Sequence, residues 1–275
     1  MTKCHLILLC ALLSLLPACK PQPQGPSLSE RGANAEATQY ARFEQYVQDL
    51  SKMSLTEAWL RQEAMLDEAE GDSTRWREVT SLQEHFFLDP NSPYRNEELY
   101  LPVVARLLSS PMASEQQRER ARWIAPRISL NRIGQPAADF PFTLRNGRTT
   151  TLYDTLDSRP VPPHRTILFL SNPGCPNCKE ITETLSANPE TSAQIASGEL
   201  LVVNIYPDED LQAWLDYLPH YPETWICGYD PEQILNSDTR YWIRAIPSLY
   251  LLDEEKRVVR KDAPLEVILK DCIER

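Results

Sequence analysis

Apolar residues recur at helical spacing through the first half of the chain and switch to short continuous runs in the second. Tyr40, Phe43, Tyr46, Val47 and Leu50 lie about one helical turn apart. Leu55, Trp59, Leu60, Ala64 and Leu66 form a second stripe, and Trp76, Val79, Leu82, Phe86 and Phe87 a third. After a break at Pro90 and Pro93 come Tyr100, Val103, Val104 and Leu107; Trp123, Ile124 and Ile128 close an arginine-rich last stripe. A period of 3.6 puts such residues on one helix face. Residues 36–130 are therefore expected to form about five helices with short loops, the aromatic stripes being their core. Arg118, Arg120 and Arg122 are read as a solvated face.

From residue 131 the pattern is that of strands. Asn146-Gly147 is a two-residue hairpin signal between Phe142-Thr143-Leu144 and Thr150-Thr151-Leu152. Thr166-Ile167-Leu168-Phe169-Leu170 and Leu200-Leu201-Val202-Val203-Asn204-Ile205 read as buried strands. A helical pattern, Glu180-Ile181-Thr182-Glu183-Thr184-Leu185, lies between them. A helix is expected over 208–218 with Asp208 as its N-cap, and a short strand at Trp225-Ile226-Cys227. Leu249-Tyr250-Leu251-Leu252 should pair with Arg257-Val258-Val259, and a last helix should run over 264–273. This order predicts an α/β domain over 131–275, a central mixed sheet flanked by helices, preceded by an all-α N-terminal domain.

The 275 residues suffice for about two domains. The net charge is −11, with no basic cluster, so no nucleic acid is expected as a partner. Residues 1–18 have a different character. Lys3 precedes an apolar run, Leu6 to Leu16, broken by Ser14 and too short to span a bilayer permanently. It ends in Leu16-Pro17-Ala18-Cys19, which resembles a bacterial lipoprotein signal. That resemblance implies that Cys19 is lipidated and becomes the first mature residue, anchoring the protein to a membrane of the cell envelope and facing the periplasm. The other reading is an ordinary secretory signal with Cys19 incidental. Residues 19–35, with Lys20-Pro21-Gln22-Pro23-Gln24-Gly25-Pro26, read as a flexible tether.

An exported chain works where disulfides persist. Of its 7 cysteines, Cys4 and Cys10 leave with the signal and Cys19 carries the lipid, leaving Cys175, Cys178, Cys227 and Cys272. Cys175-Pro176-Asn177-Cys178 sits where a strand gives way to a helix. If Cys175 is the N-cap, Pro176 falls at the first helical position, where its missing N–H costs nothing. The N–H groups of Asn177 and Cys178 then face the Cys175 sulfur and favour thiolate. Lowering a thiol from about 8.5 to near 7 takes about 2 kcal/mol. Cys178, one turn further in, can attack a mixed disulfide on Cys175. Two other readings stand beside this one: a static structural disulfide, and a zinc half-site, although Cys227, Cys272, His164 and His220 form no second ligand pair. Cys227 and Cys272 are expected to be inert buried thiols, or else a disulfide joining the sheet to the last helix. No cofactor and no metal is expected.

Four matching elements carry a wider resemblance. They are Gly134-Gln135-Pro136-Ala137-Ala138-Asp139-Phe140, Asn146-Gly147, the Cys175-x-x-Cys178 pair, and Ile246-Pro247 before Tyr250-Leu251-Leu252-Asp253. From about Ile133 onward the chain resembles the thioredoxin-like domain of membrane-anchored bacterial reductases, the TlpA-like group. The whole chain resembles envelope lipoproteins that pair this domain with an uncharacterised helical region. The resemblance implies a thiol–disulfide oxidoreductase in which Cys175 attacks and Cys178 resolves. It implies a cis Pro247 beside the dithiol, with the Ile246 backbone pairing with an extended substrate segment. Partners would be disulfide-containing envelope proteins and, for a reductant, a membrane thiol–disulfide electron donor. There are departures: Gly174 stands where the family often has Trp, Pro176-Asn177 where it has Gly-Pro or a relative, and Phe169 where thioredoxin has a buried acid. Glu180, Glu183 or a water is then the candidate proton acceptor for Cys178. The rival function is a redox-inactive binding lipoprotein whose helical domain carries the interaction.

Overall fold

A computed structural model describes residues 28–273 apart from Asp238. The signal segment 1–18, Cys19 and the tether as far as residue 27 lie outside the described residues. The chain divides into two compact units after Ala41. Of the first, the described part is the opening of helix α1 (Leu28–Leu50). Residues 28–35, expected in the tether, are thus helical. Past Pro26 the sequence carries Ser, Glu, Arg and Ala with a single glycine, Gly32, and a helix tolerates that composition.

The second unit, from Arg42 on, contains both the remaining helices of the N-terminal region and the sheet. Helices α2 (Leu55–Ala69), α3 (Ser73–Gln83), α4 (Glu97–Ser109) and α5 (Glu115–Ile128) follow in order, α3 running into a π-helical turn at Glu84–Leu88. Their starts are written in side chains. Ser54 and Ser114 form capping boxes with Glu57 and Gln117, and Asp72 and Asn96 each accept two backbone N–H groups. Pro102 lies inside α4 and cannot donate to the Glu98 carbonyl one turn back. Trp59 Nε1 fills that gap, donating to Glu98 O at 2.7 Å.

The apolar stripes are largely core: Phe43, Val47, Leu50, Trp76, Phe86, Phe87, Tyr100 and Ile124 are buried together. Three stripe assignments need correction. Trp123 is 47 % exposed, with the Arg127 guanidinium over its ring. Tyr40 is 43 % exposed, and α2 buries Ala58, Gln62, Leu66 and Ala69 while Leu60 is 61 % exposed. The buried four repeat at close to 3.6 residues; Leu60 and Ala64 fall about half a turn away from them. Arg120 and Arg122 pair with Glu84 and Glu115 on a half-exposed face, as expected.

The sheet region opens with β1 (Pro141–Leu144) and β2 (Thr149–Thr151), the hairpin across Asn146-Gly147. Helix α6 (Leu152–Asp157), strand β3 (Arg165–Leu170), helices α7 (Pro176–Ala187) and α8 (Pro189–Ser197) and strand β4 (Leu200–Tyr206) follow. Helix α9 (Leu211–Tyr217), β5 (Ile226–Tyr229), the hairpin β6 (Ser248–Leu252) and β7 (Val258–Arg260), and α10 (Leu265–Ile273) complete it. The seven strands order as β2-β1-β5-β4-β3-β6-β7. β3 and β4, and β4 and β5, run parallel, and the remaining pairs are antiparallel, giving the mixed sheet expected.

Three local readings change. Leu152 begins α6 instead of extending β2, because Thr151 caps the helix by accepting from Asp154 N at 3.0 Å. Helix α8 was not anticipated: Asn188 ends α7 and at once caps α8, with Pro189 at its first position. The cap of α9 is Asp210, which accepts from Ala213 N at 3.0 Å, and not Asp208, whose carboxylate is taken by Asn172 and Asn236.

Strand alternation divides the core. Ile167, Phe169, Val202, Cys227, Leu249 and Leu251 share one cluster with residues of α7 and α10; Leu168, Leu170, Val203, Ile205, Tyr250 and Leu252 share the other with residues of α6. Gly228 sits where β5 pairs with β1: a Cβ there would run into the Phe142 ring and lie 2.9 Å from Thr143 O. Gly228→Ala should cost about 1–3 kcal/mol of stability, the range of an overpacked core. A urea denaturation midpoint equal to that of the parent would show that β1 and β5 can separate without cost.

Candidate active site

Strand β3 ends at Leu170, and the chain turns through Ser171, Asn172, Pro173 and Gly174 into α7. Gly174 has φ 78°, in the left-handed region where a Trp would be strained. Cys175 N donates to Asn172 O at 3.2 Å, closing the turn. Cys175 is then the N-cap of α7 and Pro176 its first residue, as expected.

Cys175 and Cys178 form a disulfide with a Cα–Cα distance of 5.2 Å. The Cys178 N–H, one of the two expected to face this sulfur, donates to Cys175 Sγ at 3.2 Å. Cys175 is half-buried and Cys178 only 3 % exposed. An incoming sulfur therefore reaches Cys175 first. Pro176 and Asn177 are exposed beside it.

The Ile246-Pro247 peptide is cis. Ser248, directly after it, pairs with Leu170 at the end of β3, five residues before Cys175. The sheet register thus brings Pro247 and the dithiol to the same end of the sheet. Ile246 and Cys175 pack against the same apolar cluster, and Ile246 and Pro247 remain half-buried.

On the strand face that packs against α7, Leu249, Phe169, Asn204 and Cys227 stand in register across β6, β3, β4 and β5. Phe169 is fully buried. Asn204, its neighbour on β4, is also fully buried and donates through Nδ2 to Ser171 Oγ at 2.7 Å. Ser171 Oγ lies 3.0 Å from the Tyr221 hydroxyl. Burial pushes Tyr221 up to about 12, against the opposing Ser171 hydrogen bond. This trio is uncharged at neutral pH. Glu180 and Glu183, offered as proton acceptors, are both exposed, and Glu183 pairs with Lys179 at 3.7 Å. Sequence reasoning did not pick out Ser171, Asn204 or Tyr221. Asn204 left a signal, as a polar residue within the apolar run of β4.

Cys227 and Cys272 are free and buried, not paired. Cys227 Sγ accepts from Arg145 Nη2 at 3.0 Å. Burial nonetheless pushes Cys227 up to about 11, and Cys272 likewise to about 11. Thiolate is scarce on both at every pH below that value, so each should alkylate at least about ten-fold more slowly at neutral pH than an exposed thiol. The Cys227→Ser, Cys272→Ser double variant should keep any dithiol exchange. Exchange lost in a variant still folded by circular dichroism would show that one of them takes part. Among the described residues no group of three or more His, Cys, Asp or Glu gathers as a metal site, and no helix is long and apolar enough to cross a membrane.

Residues 32–131 match the family model of a domain of unknown function, DUF5106. Comparison with curated proteins finds no match. Among solved structures, a thioredoxin-like protein from Bacteroides caccae is 33 % identical, with a TM-score of 0.78 over 87 % of this chain and 85 % of its own. The C-terminal domain of an uncharacterized protein from Bacteroides fragilis is 40 % identical over 52 % of this chain and 99 % of its own, with a TM-score of 0.48. The thioredoxin domain of a thiol-disulfide oxidoreductase from Bacteroides vulgatus is 16 % identical over 51 % of this chain and 98 % of its own, with a TM-score of 0.42.

Proposed function

The chain belongs to the thioredoxin-like family, and on that premise we propose that it is a thiol–disulfide oxidoreductase acting through Cys175 and Cys178. The observation that carries this reading is the division of the pair: a half-buried sulfur at a helix N-cap, a buried sulfur one turn in, and the cis Pro247 at the same end of the sheet. In the reducing direction the Cys175 thiolate attacks a substrate disulfide. A Cys175–substrate S–S bond forms, the substrate bond breaks, and the departing sulfur takes a proton. Cys178, deprotonated, then attacks Cys175 Sγ and expels the second substrate thiol. Two electrons pass from the dithiol to the substrate, and the disulfide seen here is the product state. Ile246 is only half-buried at the dithiol end of the sheet, which supports its pairing with an extended segment of the substrate. The test is exchange between the reduced protein and a disulfide-bonded peptide. Wild type should reduce the peptide and Cys175→Ser should not. A wild type that is inert in both directions would favour a redox-inactive binding protein.

The substrates in this reading are disulfide-bearing proteins of the cell envelope, and continued reduction requires a membrane thiol–disulfide donor. The anchor is lipid on Cys19, supported by the Leu16-Pro17-Ala18-Cys19 ending of a short apolar run. Cys19→Ala should leave the protein uncleaved or release it from membranes. Unchanged membrane partition, with no acyl mass on Cys19 of the parent, would contradict the anchor.

A further inference from the structure

The segment leading into Pro247 is held by residues of the helical region. Trp242 is buried in the helical core, edge-on to Trp123 at a centroid distance of 5.8 Å. Two residues on, the Arg244 side chain is buried among four partners. Its Nε lies 3.0 Å from Glu97 Oε1, its Nη2 lies 2.5 Å from Asp262 Oδ2, its Nη1 donates to Leu88 O, and its guanidinium stacks over Trp242 at 5.4 Å. Beyond the proline, Ser248 Oγ donates to the other oxygen of the same Asp262 carboxylate at 2.8 Å. One carboxylate therefore grips the chain on both sides of Ala245-Ile246-Pro247.

That carboxylate is itself anchored to the helices. Arg95 Nε donates to the Asp262 carbonyl at 2.9 Å. Lys261, beside it, lies 2.6 Å from Glu97 Oε2 and donates to the carbonyls of Ile128 and Leu130 at the end of α5. Glu97 is the first residue of α4, where the helix dipole favours its charge. Two buried carboxylates thus face two buried cations, Arg244 and Lys261, with the half-buried Arg95 beside them.

We infer that the helical region is the positioning element of the substrate-docking segment, with Glu97 and Asp262 fixing Ala245-Ile246-Pro247 between two clamps. This rests on the dithiol reading of the active site. The clamp grips the docking segment and makes no hydrogen bond or ion pair to Cys175 or Cys178. Loosening it should weaken substrate pairing and leave the chemistry of the pair unchanged. The helices thereby become part of the enzyme rather than a separate module.

Ser248→Ala removes one arm of the clamp and keeps all four charges. With a disulfide-bonded peptide as substrate it should raise KM about ten-fold, the loss of about 1.4 kcal/mol expected for a hydrogen bond to a charged group. The kcat should stay within about two-fold and the potential of the Cys175–Cys178 pair should not move. Amide exchange at Ala245 and Ile246 should quicken while that of α7 does not. Glu97→Gln should show the same split if it folds; if it does not, Ser248→Ala decides. A variant less stable than wild type but with its KM and with unchanged amide exchange at Ala245 and Ile246 would overturn the inference, leaving the cluster a staple between two regions. Failure of the dithiol reading looks different: wild type itself then shows no exchange, and the docking role falls with it.

Discussion

Cys178→Ala should accumulate mixed disulfides on Cys175, because the buried sulfur that expels the bound partner is gone. Non-reducing electrophoresis of envelope extracts should show adducts with Cys178→Ala that a reductant releases, and none with Cys175→Ala. The asymmetry follows from position. Cys175 caps α7, half-buried, under the Cys178 N–H, whereas Cys178 is buried and reaches a sulfur only once that sulfur is on Cys175. Turnover should fall by orders of magnitude in either variant, since neither thiol alone completes the exchange. Adducts trapped by Cys175→Ala instead would reverse the two roles.

Lys261→Met should cost about 3–5 kcal/mol, the penalty for leaving a buried charge without its partner. Glu97 keeps Arg244, which Asp262 shares, and the carbonyls of Ile128 and Leu130 lose their donor. The effect should depend on pH in a definite sense. Burial already raises the Glu97 carboxyl above its ordinary range, with Lys261 and then Arg244 pulling it down. Removing Lys261 raises it further. An acid raised in the folded state favours folding below its unfolded pKa, and that support is lost as pH rises through the folded value. The deficit of Lys261→Met should therefore be smallest near about pH 4 and grow toward neutrality. Urea denaturation followed by tryptophan fluorescence gives both numbers. A loss under about 1 kcal/mol, flat with pH, would mean that Glu97 is already neutral in the parent.

What could be read from the sequence is what short-range chemistry determines. The Asn146-Gly147 hairpin, the Cys175 cap with Pro176 behind it, the parallel strands β3 and β4 and the last hairpin each announce themselves within a few residues. The cis Ile246-Pro247 peptide came from resemblance, since nothing local marks it. Local competition hid other features: Asp208 and Asp210 are both plausible caps, and tertiary partners, Asn172 and Asn236, decide between them by claiming Asp208. In α2, Leu60 looked like core, yet Gln62 is buried because its Nε2 finds Leu99 O at 2.6 Å. The ion cluster could not be read at all. Glu97, Arg244, Lys261 and Asp262 are ordinary charged residues in sequence, and only the fold brings their three separate stretches together. Ser171 and Tyr221 likewise meet only in the fold, whereas Asn204 shows in the sequence as a polar residue within the apolar run of β4.

The most direct test of dithiol exchange is the potential of the Cys175–Cys178 pair, measured by equilibration against glutathione or dithiothreitol buffers with the thiols counted by alkylation. A cycling pair should give a two-electron couple between about −270 and −120 mV, the span of working dithiols. A couple below about −300 mV, where structural disulfides lie, would contradict it.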